Sequence, residues 1–371
     1  MFDNYIVVTG TRPEIIKMAP VIRRLMAGGL RVHFVHTGQH YDYLLSKQML
    51  KDLQLPKPYR SFVLRSNSPA AQIGEIMSKL ERPFRQIAKK SILLIQGDTN
   101  SVVSAALTGV KVGIPIAHVE AGLRSYDWRM PEEHNRRMVD HISDILFAPT
   151  ETSRVNLEME KVHGEIFVTG NTIIDAVREH LPIAMKKSKV MNNIRFKEYV
   201  LVTIHRAENV DSPRILGEIL EGLIRSNVPL VIPIHPRTQE RLRANNYSNK
   251  LASKNIQILS PQGYLDFLVL LKNSRFVVTD SGGIQEEATS PSLLKRVFVI
   301  RDSTERPEAV ASGIVKLLSI SRKHISSSIH LEWHSDQPKR ISIRKSPYGA
   351  GYASDKIMRI LLRKNEINKK I

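Results

Sequence analysis

The sequence predicts an α/β protein of two Rossmann-like domains, each a parallel sheet covered by helices. Three observations predict it. The chain has 371 residues, and domains run to about 100–200 residues each. Short apolar runs alternate with segments of helical period, the pattern of βα units in a doubly wound sheet. The alternation lapses over a polar stretch at 192–197 and then begins again.

Taken in order, Ile6, Val7, Val8 and Thr9 form a buried-strand run that ends in Gly10-Thr11-Arg12-Pro13-Glu14. Pro13 suits the first turn of a helix, and Ile15, Ile16, Ala19, Ile22 and Leu25 follow at helical spacing. Gly28-Gly29 stops that helix. Further strands are expected at 32–35, 91–96, 114–119, 144–148 and 165–169, with helical patterns in the gaps. The segment 172–193 has the character of a connector. A second set of strands is expected at 199–204, 229–234, 256–259, 276–279 and 297–300, and a closing helix at 353–362. The expected domains are 1–171 and 172–352, with the terminal segment 353–371 packing back on the first.

Composition excludes several function classes. With 42% hydrophobic and 25% charged residues the chain is ordinary globular material. Its longest apolar runs fall far short of the ~20 residues a membrane helix needs, and the start carries no basic and apolar leader, so a cytoplasmic protein without membrane association is expected. There are no cysteines, which removes disulfides, thiolate nucleophiles and cysteine-ligated metals. The 13 histidines show no HExxH-type spacing, so no metal is expected. No GxSxG elbow, Walker A lysine or GxGxxG is present, so serine hydrolysis, ATP and dinucleotides have no support. The formal charge of +19 fits a basic surface or an affinity for polyanions. No basic patch interleaved with aromatics accompanies it, and a nucleic-acid partner is not expected.

Ligands of open parallel sheets bind beyond the carboxyl ends of the strands. The residues just after the strands here are chemically capable in nearly every case: Arg12, Gln39, His40, Asp98, Glu120, His205, His235 and Asp280-Ser281-Gly282-Gly283. At Gly10-Thr11-Arg12, helix N–H groups with Arg12 and Lys17 suit a diphosphate; a tight turn with a surface arginine explains the same residues. At 280–287 the glycines permit close approach of a phosphate, and Glu286 or Glu287 suits ribose hydroxyls; an Asp/Ser cap with acidic first-turn residues is the alternative. Asp98, Glu120, Glu132 and Glu133 form a candidate acid–base set, in which neighbouring carboxylates spread one another's proton affinity. Solvated acids, or ion pairs with Arg124, Arg136 and Arg137, account for them equally. His205 fits either a phosphate ligand or a structural histidine.

The stretches TGTRPEIIKMAP (9–20), HTGQHYD (36–42), QGDTNSV (96–102), HVEAGLRS (118–125), PEEHNRRMVD (131–140), TGNTIIDA (169–176), TIHRAENVD (203–211), DSGGIQEEA (280–288) and RDSTERPEAV (301–310) together resemble the non-hydrolysing UDP-N-acetylglucosamine 2-epimerases. The resemblance implies the GT-B architecture, two parallel sheets facing a central cleft, and a homodimer. It implies that UDP is eliminated to give 2-acetamidoglucal and added back after reprotonation at C-2, with no cofactor, in the supply of glycan precursors. By motif, Asp98, Glu120 and Glu132 would manage protons, and Arg12, Lys17 and His205 would neutralise UDP. Gly10, Gln39, His40, His235, Ser281, Gly282, Gly283, Glu287 and Arg301 would complete the substrate site, with Glu132 preferred to Glu133.

Two departures stand out. After Glu287 the family runs A-P-S-L-G-K-P, whereas this chain has Ala288-Thr289-Ser290-Pro291-Ser292-Leu293-Leu294-Lys295-Arg296, two residues longer and without the glycine. The basic segment 319–344 matches poorly and reads as an insertion, a partner surface or a divergent loop. Alternative functions are the 2-epimerisation of a modified UDP-sugar of diacetamido-uronic acid type, a hydrolysing variant, a GT-B glycosyltransferase and a non-enzymatic binding protein.

Overall fold

The structure, a computed structural model, describes residues 2–39, 43–66, 68–247, 251, 253–301, 304–335 and 346–367. The chain divides into two units, Met1–Glu179 with Tyr348–Ile371, and His180–Pro347.

The first unit runs β1 (Asn4–Thr9), α1 (Arg12–Ala27), β2 (Arg31–His36), α2 (Tyr43–Asp52), β3 (Arg60–Ser61), α3 (Pro69–Ile87), β4 (Ser91–Gln96), α4 (Asn100–Val112), β5 (Ile116–Val119), α5 (Pro131–Ile142), β6 (Ile145–Ala148), α6 (Glu151–Met159) and β7 (Glu165–Val168) into α7 (Thr172–Lys187). Its seven strands are parallel, in the order β3-β2-β1-β4-β5-β6-β7. Alternation along β1 divides its apolar side chains between the two faces of the sheet. Ile6 and Val8 join a core with α3 and α4 residues such as Phe84 and Val103. Tyr5 and Val7 join a core with Met18 and Ile22 of α1.

The second unit runs β8 (Val200–Thr203), α8 (Ala207–Val210), α9 (Pro213–Arg225), β9 (Leu230–Pro233), α10 (Pro236–Ala244), β10 (Ile256–Leu259), α11 (Tyr264–Asn273), β11 (Val277–Thr279), α12 (Gly282–Ala288), β12 (Val297–Ile300), α13 (Pro307–Ala311), β13 (Val315–Leu318) and α14 (Arg322–Trp333). Its six strands are again parallel, in the order β10-β9-β8-β11-β12-β13. The closing helix α15 (Ala353–Ile367) lies on α1 of the first unit. Ile357 and Leu361 are fully buried there, each worth about 1.5–3 kcal/mol of transfer free energy.

Both sheets are wound outward from a pair of adjacent central strands, β1/β4 in one and β8/β11 in the other. That reversal of strand order is where an open parallel sheet leaves a crevice at its carboxyl edge. It falls beside Gly10 and Asp98 in the first unit, and beside His205 and Asp280 in the second.

One sequence reading needs correction. The segment 172–193, read as a connector, holds α7 and a short turn at Val190–Asn193, and the division between units falls within α7. The segment from 319 is no loop over its described part: residues 322–333 form α14, packed on α9 with Ile325 against Gly222 and with an Arg322–Glu218 ion pair. Residues 336–345 lie outside the described residues. The altered run after Glu287 also acquires a local account. Helix α12 ends at Ala288, the Ser290 carbonyl accepts from the Leu293 and Leu294 amides, and the Ala288 carbonyl accepts from Lys295. Leu294, standing where the family pattern has glycine, takes φ 45°, a left-handed conformation that costs an L-residue about 1 kcal/mol.

Candidate active site

In the first unit, three strand-end turns interlock. The Gly10 amide donates to Glu14 Oε2 at 2.6 Å and the Thr11 hydroxyl to Glu14 Oε1 at 2.8 Å. Gly10 is required sterically, since a Cβ there would lie 1.9 Å from Ser101 Oγ and 2.5 Å from Thr37 Oγ1. Thr37 and Ser101 hydroxyls are themselves 2.7 Å apart, and Gln39 Oε1 accepts from the Ser101 amide and hydroxyl at 3.0 and 2.6 Å. Gln39, expected as a substrate ligand, thus caps the start of α4. Arg12 is half-buried at the first position of α1. His40 lies outside the described residues.

Asp98 ends the β4 turn. Its carboxylate pairs with Arg136 of α5, with Arg136 Nε at 3.1 Å, and its carbonyl accepts from Asn135 Nδ2 at 2.8 Å. Glu120, just past β5, is buried and holds φ 68°. Its carboxylate pairs with Lys17 of α1 and accepts from Asn171 Nδ2 at 3.0 Å. Lys17, expected to face a phosphate, is therefore a buried partner of Glu120.

The two adjacent acids of α5 separate completely. Glu132 is exposed and Glu133 fully buried. Glu133 accepts from the Ser125 amide and hydroxyl, both at 2.9 Å, and pairs with Arg136 and Arg137. Burial pushes the Glu133 carboxyl up, but the Ser125 bonds and the two arginines outweigh it and hold it below the usual range. Glu133 is occupied in fastening the 125–126 loop, which leaves Glu132 as the acid open to a ligand. Behind β5, His118 bonds Asp140 Oδ1 at 2.8 Å, and Arg124 bridges Asp140 and Glu160. This buried set anchors the segment that carries Glu120.

In the second unit the hub is Asp280, fully buried past β11. Its carboxylate accepts from the amides of His205 and Arg206 and from Asn209 Nδ2, at 2.9–3.1 Å. His205 Nδ1 lies 3.3 Å from it, and the His205 ring stands 5.1 Å from that of His235, which caps α10. Burial lowers the His205 pKa; the Asp280 charge opposes this, while Arg206 and Arg237 add to it. His205 is thereby biased toward the neutral imidazole.

The Ser281-Gly282-Gly283 turn is less uniform than its sequence suggests. A Cβ on Gly282 would lie 2.5 Å from an Arg306 nitrogen and 3.0 Å from Glu305, so that glycine makes room for the protein's own side chains. A Cβ on Gly283 meets nothing within 4 Å, and the Ser281 side chain makes no capping bond. Glu286 is committed to Arg306 Nε at 2.7 Å, and Glu287 is buried beside it. Arg301, expected as a substrate ligand, is buried with Glu305 at 2.8 Å. Burial alone would raise the Glu305 carboxyl, but Arg306, Arg301 and Arg206 hold it well below the usual range.

Glu14, Glu305 and Arg306 were given no role from sequence. Glu14 carried a signal: Thr11-x-x-Glu14 has capping-box spacing. Glu305 and Arg306 are ordinary charged residues whose burial only the fold reveals. Among the described residues no group of three or more His, Asp or Glu side chains is placed to hold a metal ion, and no helix is long and apolar enough to cross a membrane.

Comparison with known proteins is consistent across three kinds of relative. The family model described as UDP-N-acetylglucosamine 2-epimerase matches residues 24–362. A protein of Methanocaldococcus jannaschii named UDP-N-acetylglucosamine 2-epimerase is 40% identical over 366 residues, covering 96% of this chain and 98% of the relative. A Pseudomonas aeruginosa protein named UDP-2,3-diacetamido-2,3-dideoxy-D-glucuronate 2-epimerase is 35% identical, covering 95% and 98%. The crystal structure of the M. jannaschii UDP-GlcNAc 2-epimerase in complex with UDP-GlcNAc and UDP has a TM-score of 0.88, covering 97% of this chain and 99% of that one. The Neisseria meningitidis UDP-GlcNAc 2-epimerase bound to UDP-GlcNAc is 34% identical with a TM-score of 0.87, covering 97% and 100%.

Proposed function

The chain belongs to the UDP-N-acetylglucosamine 2-epimerase family, a family of isomerases, and from that premise we propose that it interconverts UDP-N-acetylglucosamine and UDP-N-acetylmannosamine without a cofactor. UDP departs from C-1 with the electron pair of the C–O bond while a carboxylate takes the C-2 proton, leaving 2-acetamidoglucal. The glycal is reprotonated at C-2 from the opposite face, and a diphosphate oxygen adds back to C-1. Elimination of this kind needs charge stabilisation at the leaving diphosphate and two proton-handling groups.

In this reading Asp98, Glu120 and Glu132 handle the protons. Arg12 neutralises the departing UDP, and His205 stands beside it as a hydrogen-bonding imidazole. His235, Ser281, Gly283 and Glu287 hold the diphosphate and ribose. Lys17, Gln39, Gly282 and Arg301 act through their neighbours: Lys17 orients Glu120, Gln39 caps the helix beside Asp98, and Gly282 and Arg301 shape the turn. The observation that supports the reading most is Glu120, a non-glycine residue at φ 68° whose buried carboxylate is held by Lys17 and Asn171. Such backbone costs about 1–3 kcal/mol and persists where the side chain's placement is needed.

The test is incubation with UDP-N-acetylglucosamine in deuterium oxide, followed by NMR. UDP-N-acetylmannosamine with deuterium at C-2 is expected. Free sugar as the main product would make the protein a hydrolase, and an unchanged, unlabelled nucleotide sugar would sink the proposal for this substrate. The P. aeruginosa relative motivates a second arm with the diacetamido-uronic acid nucleotide; faster exchange of that sugar would reassign the substrate.

A further inference from the structure

His118 of β5 is fully buried and precedes Glu120 by two positions. Its ring is bonded at both ends. Nδ1 lies 2.8 Å from Asp140 Oδ1, and Nε2 lies 2.9 Å from the carbonyl oxygen of Gly97, the residue before Asp98. Both partners are acceptors. A backbone carbonyl cannot donate, and Asp140 Oδ2 is itself engaged as an acceptor, with Arg124 at 2.8 Å and the Gly122 amide at 3.2 Å. A neutral imidazole carries one N–H and satisfies one acceptor; an imidazolium satisfies both. The surrounding charges agree. From Asp140 a chain of ion pairs runs through Arg124, Glu160, Arg137, Glu133 and Arg136 to Asp98. Without a charge on His118, three arginines face four carboxylates; with it the set is balanced, as charges withdrawn from water require. His141, within 3.8 Å of Glu160, is exposed and stands outside the buried set.

We propose that His118 is a buried imidazolium that positions both acid-bearing turns of the first unit, its Nε2–H holding the Gly97 carbonyl before Asp98 and its Nδ1–H holding, through Asp140, the Gly122 amide after Glu120. The positioning role rests on the epimerase reading, in which Asp98 and Glu120 handle protons; the presence of two protons on the ring does not. Gly97 and Gly122 both take φ 83°, a left-handed conformation open to glycine, so each turn reverses next to the bond that fastens it. Either neutral tautomer would leave one turn without its ring donor: loss of the proton on Nε2 releases the Gly97 carbonyl, and loss of the proton on Nδ1 sets a lone pair against the Asp140 carboxylate. With both protons in place the two turns are tied to a single ring. Their spacing is then fixed, which proton transfer on either face of one sugar carbon requires.

The first readout needs no activity. Protein carrying isotope-labelled histidine is examined near pH 7 by proton–nitrogen NMR, the His118 ring being assigned by its absence from either variant below. Two ring N–H signals protected from exchange with solvent are expected, and a ring with one proton would overturn the inference. Activity then separates positioning from packing. His118→Asn keeps a donor where Nδ1 stood, toward Asp140, and loses the one toward Gly97; His118→Gln keeps a donor where Nε2 stood and loses the other. With UDP-N-acetylglucosamine, His118→Asn should lower kcat at least about tenfold with KM within about threefold, and His118→Gln should recover at least about threefold of that loss. Equal losses in the two variants, or an effect on KM alone, would overturn the positioning role. Should one variant fail to fold, the other still assigns the ring, and its spectrum in the unmodified protein decides. Two ring protons in a protein that shows no exchange at C-2 would uphold the imidazolium and count against the proposed reaction.

Discussion

Lys17 of α1 and Glu120 past β5 form a buried ion pair, with both side chains at or below 6% exposure. It joins the helix that begins at the Gly10 turn to the most strained acidic residue of the site. A buried pair stabilises little against an apolar replacement, but removing one partner leaves an uncompensated charge and costs about 3–5 kcal/mol. Lys17→Met should therefore lower stability by about 3 kcal/mol in urea unfolding. The double change Lys17→Met with Glu120→Gln should recover part of that loss. If the single change cost less than about 1 kcal/mol, the pair would be solvated and Glu120 would not be held as described.

Glu132 and Glu133 are neighbours in sequence with opposite surroundings. Glu133→Gln should destabilise by about 2–3 kcal/mol, because a buried acceptor of two Ser125 donors and two arginines is weakened. Glu132→Gln should leave unfolding within about 0.5 kcal/mol of the unmodified protein while reducing C-2 exchange at least tenfold. Equal stability losses in the two variants would remove the reason for assigning the proton role to Glu132.

How far the site was legible in sequence follows from what parallel sheets impose. Strands buried on both faces are continuous apolar runs, so 91–96 and 297–300 stand out and the residues at their carboxyl ends can be named. Strand β13 escaped notice because Val315-Lys316-Leu317-Leu318 is interrupted by an exposed lysine at a sheet edge. Helix α14, with three consecutive serines, carries little apolar periodicity. Within the site, residue type named the strand-end turns but not the partner of each side chain. Lys17, Gln39 and Arg301 look like ligands until burial shows them bonded to Glu120, Ser101 and Glu305. Leu294 at φ 45° shows the converse, a fold keeping a glycine geometry after the glycine has gone.

Burial raises the carboxyl of Glu14, bonded to the Gly10 amide and the Thr11 hydroxyl, to about 7. A carboxyl whose folded pKa exceeds its unfolded value of 4.5 contributes stability that is complete below 4.5 and lost as pH rises toward about 7. The unmodified protein should thus lose about 3 kcal/mol over that window from this group; Glu133 and Asp140, whose values are lowered, act below the window, where their stabilisation is lost as pH falls. Glu14→Gln should be no less stable than the unmodified protein at pH 8 and comparatively less stable at pH 5. Urea unfolding of both proteins across pH 5–8 measures the difference, and parallel curves would mean that Glu14 titrates normally.

Gly282 and Gly283 separate a packing role from a ligand role within one turn. Alanine at 282 drives a methyl into the Arg306 head, which Glu286 and Glu305 hold in place, and should cost about 1–3 kcal/mol. Alanine at 283 projects into open space within α12 and should stabilise by up to about 1 kcal/mol, the helix-propensity difference. If that open space is where the diphosphate approaches, the same methyl obstructs it, and Gly283→Ala should weaken UDP binding by calorimetry at least tenfold while raising the unfolding midpoint. A variant that is more stable and binds UDP unchanged would put the diphosphate elsewhere and remove Gly283 from the site.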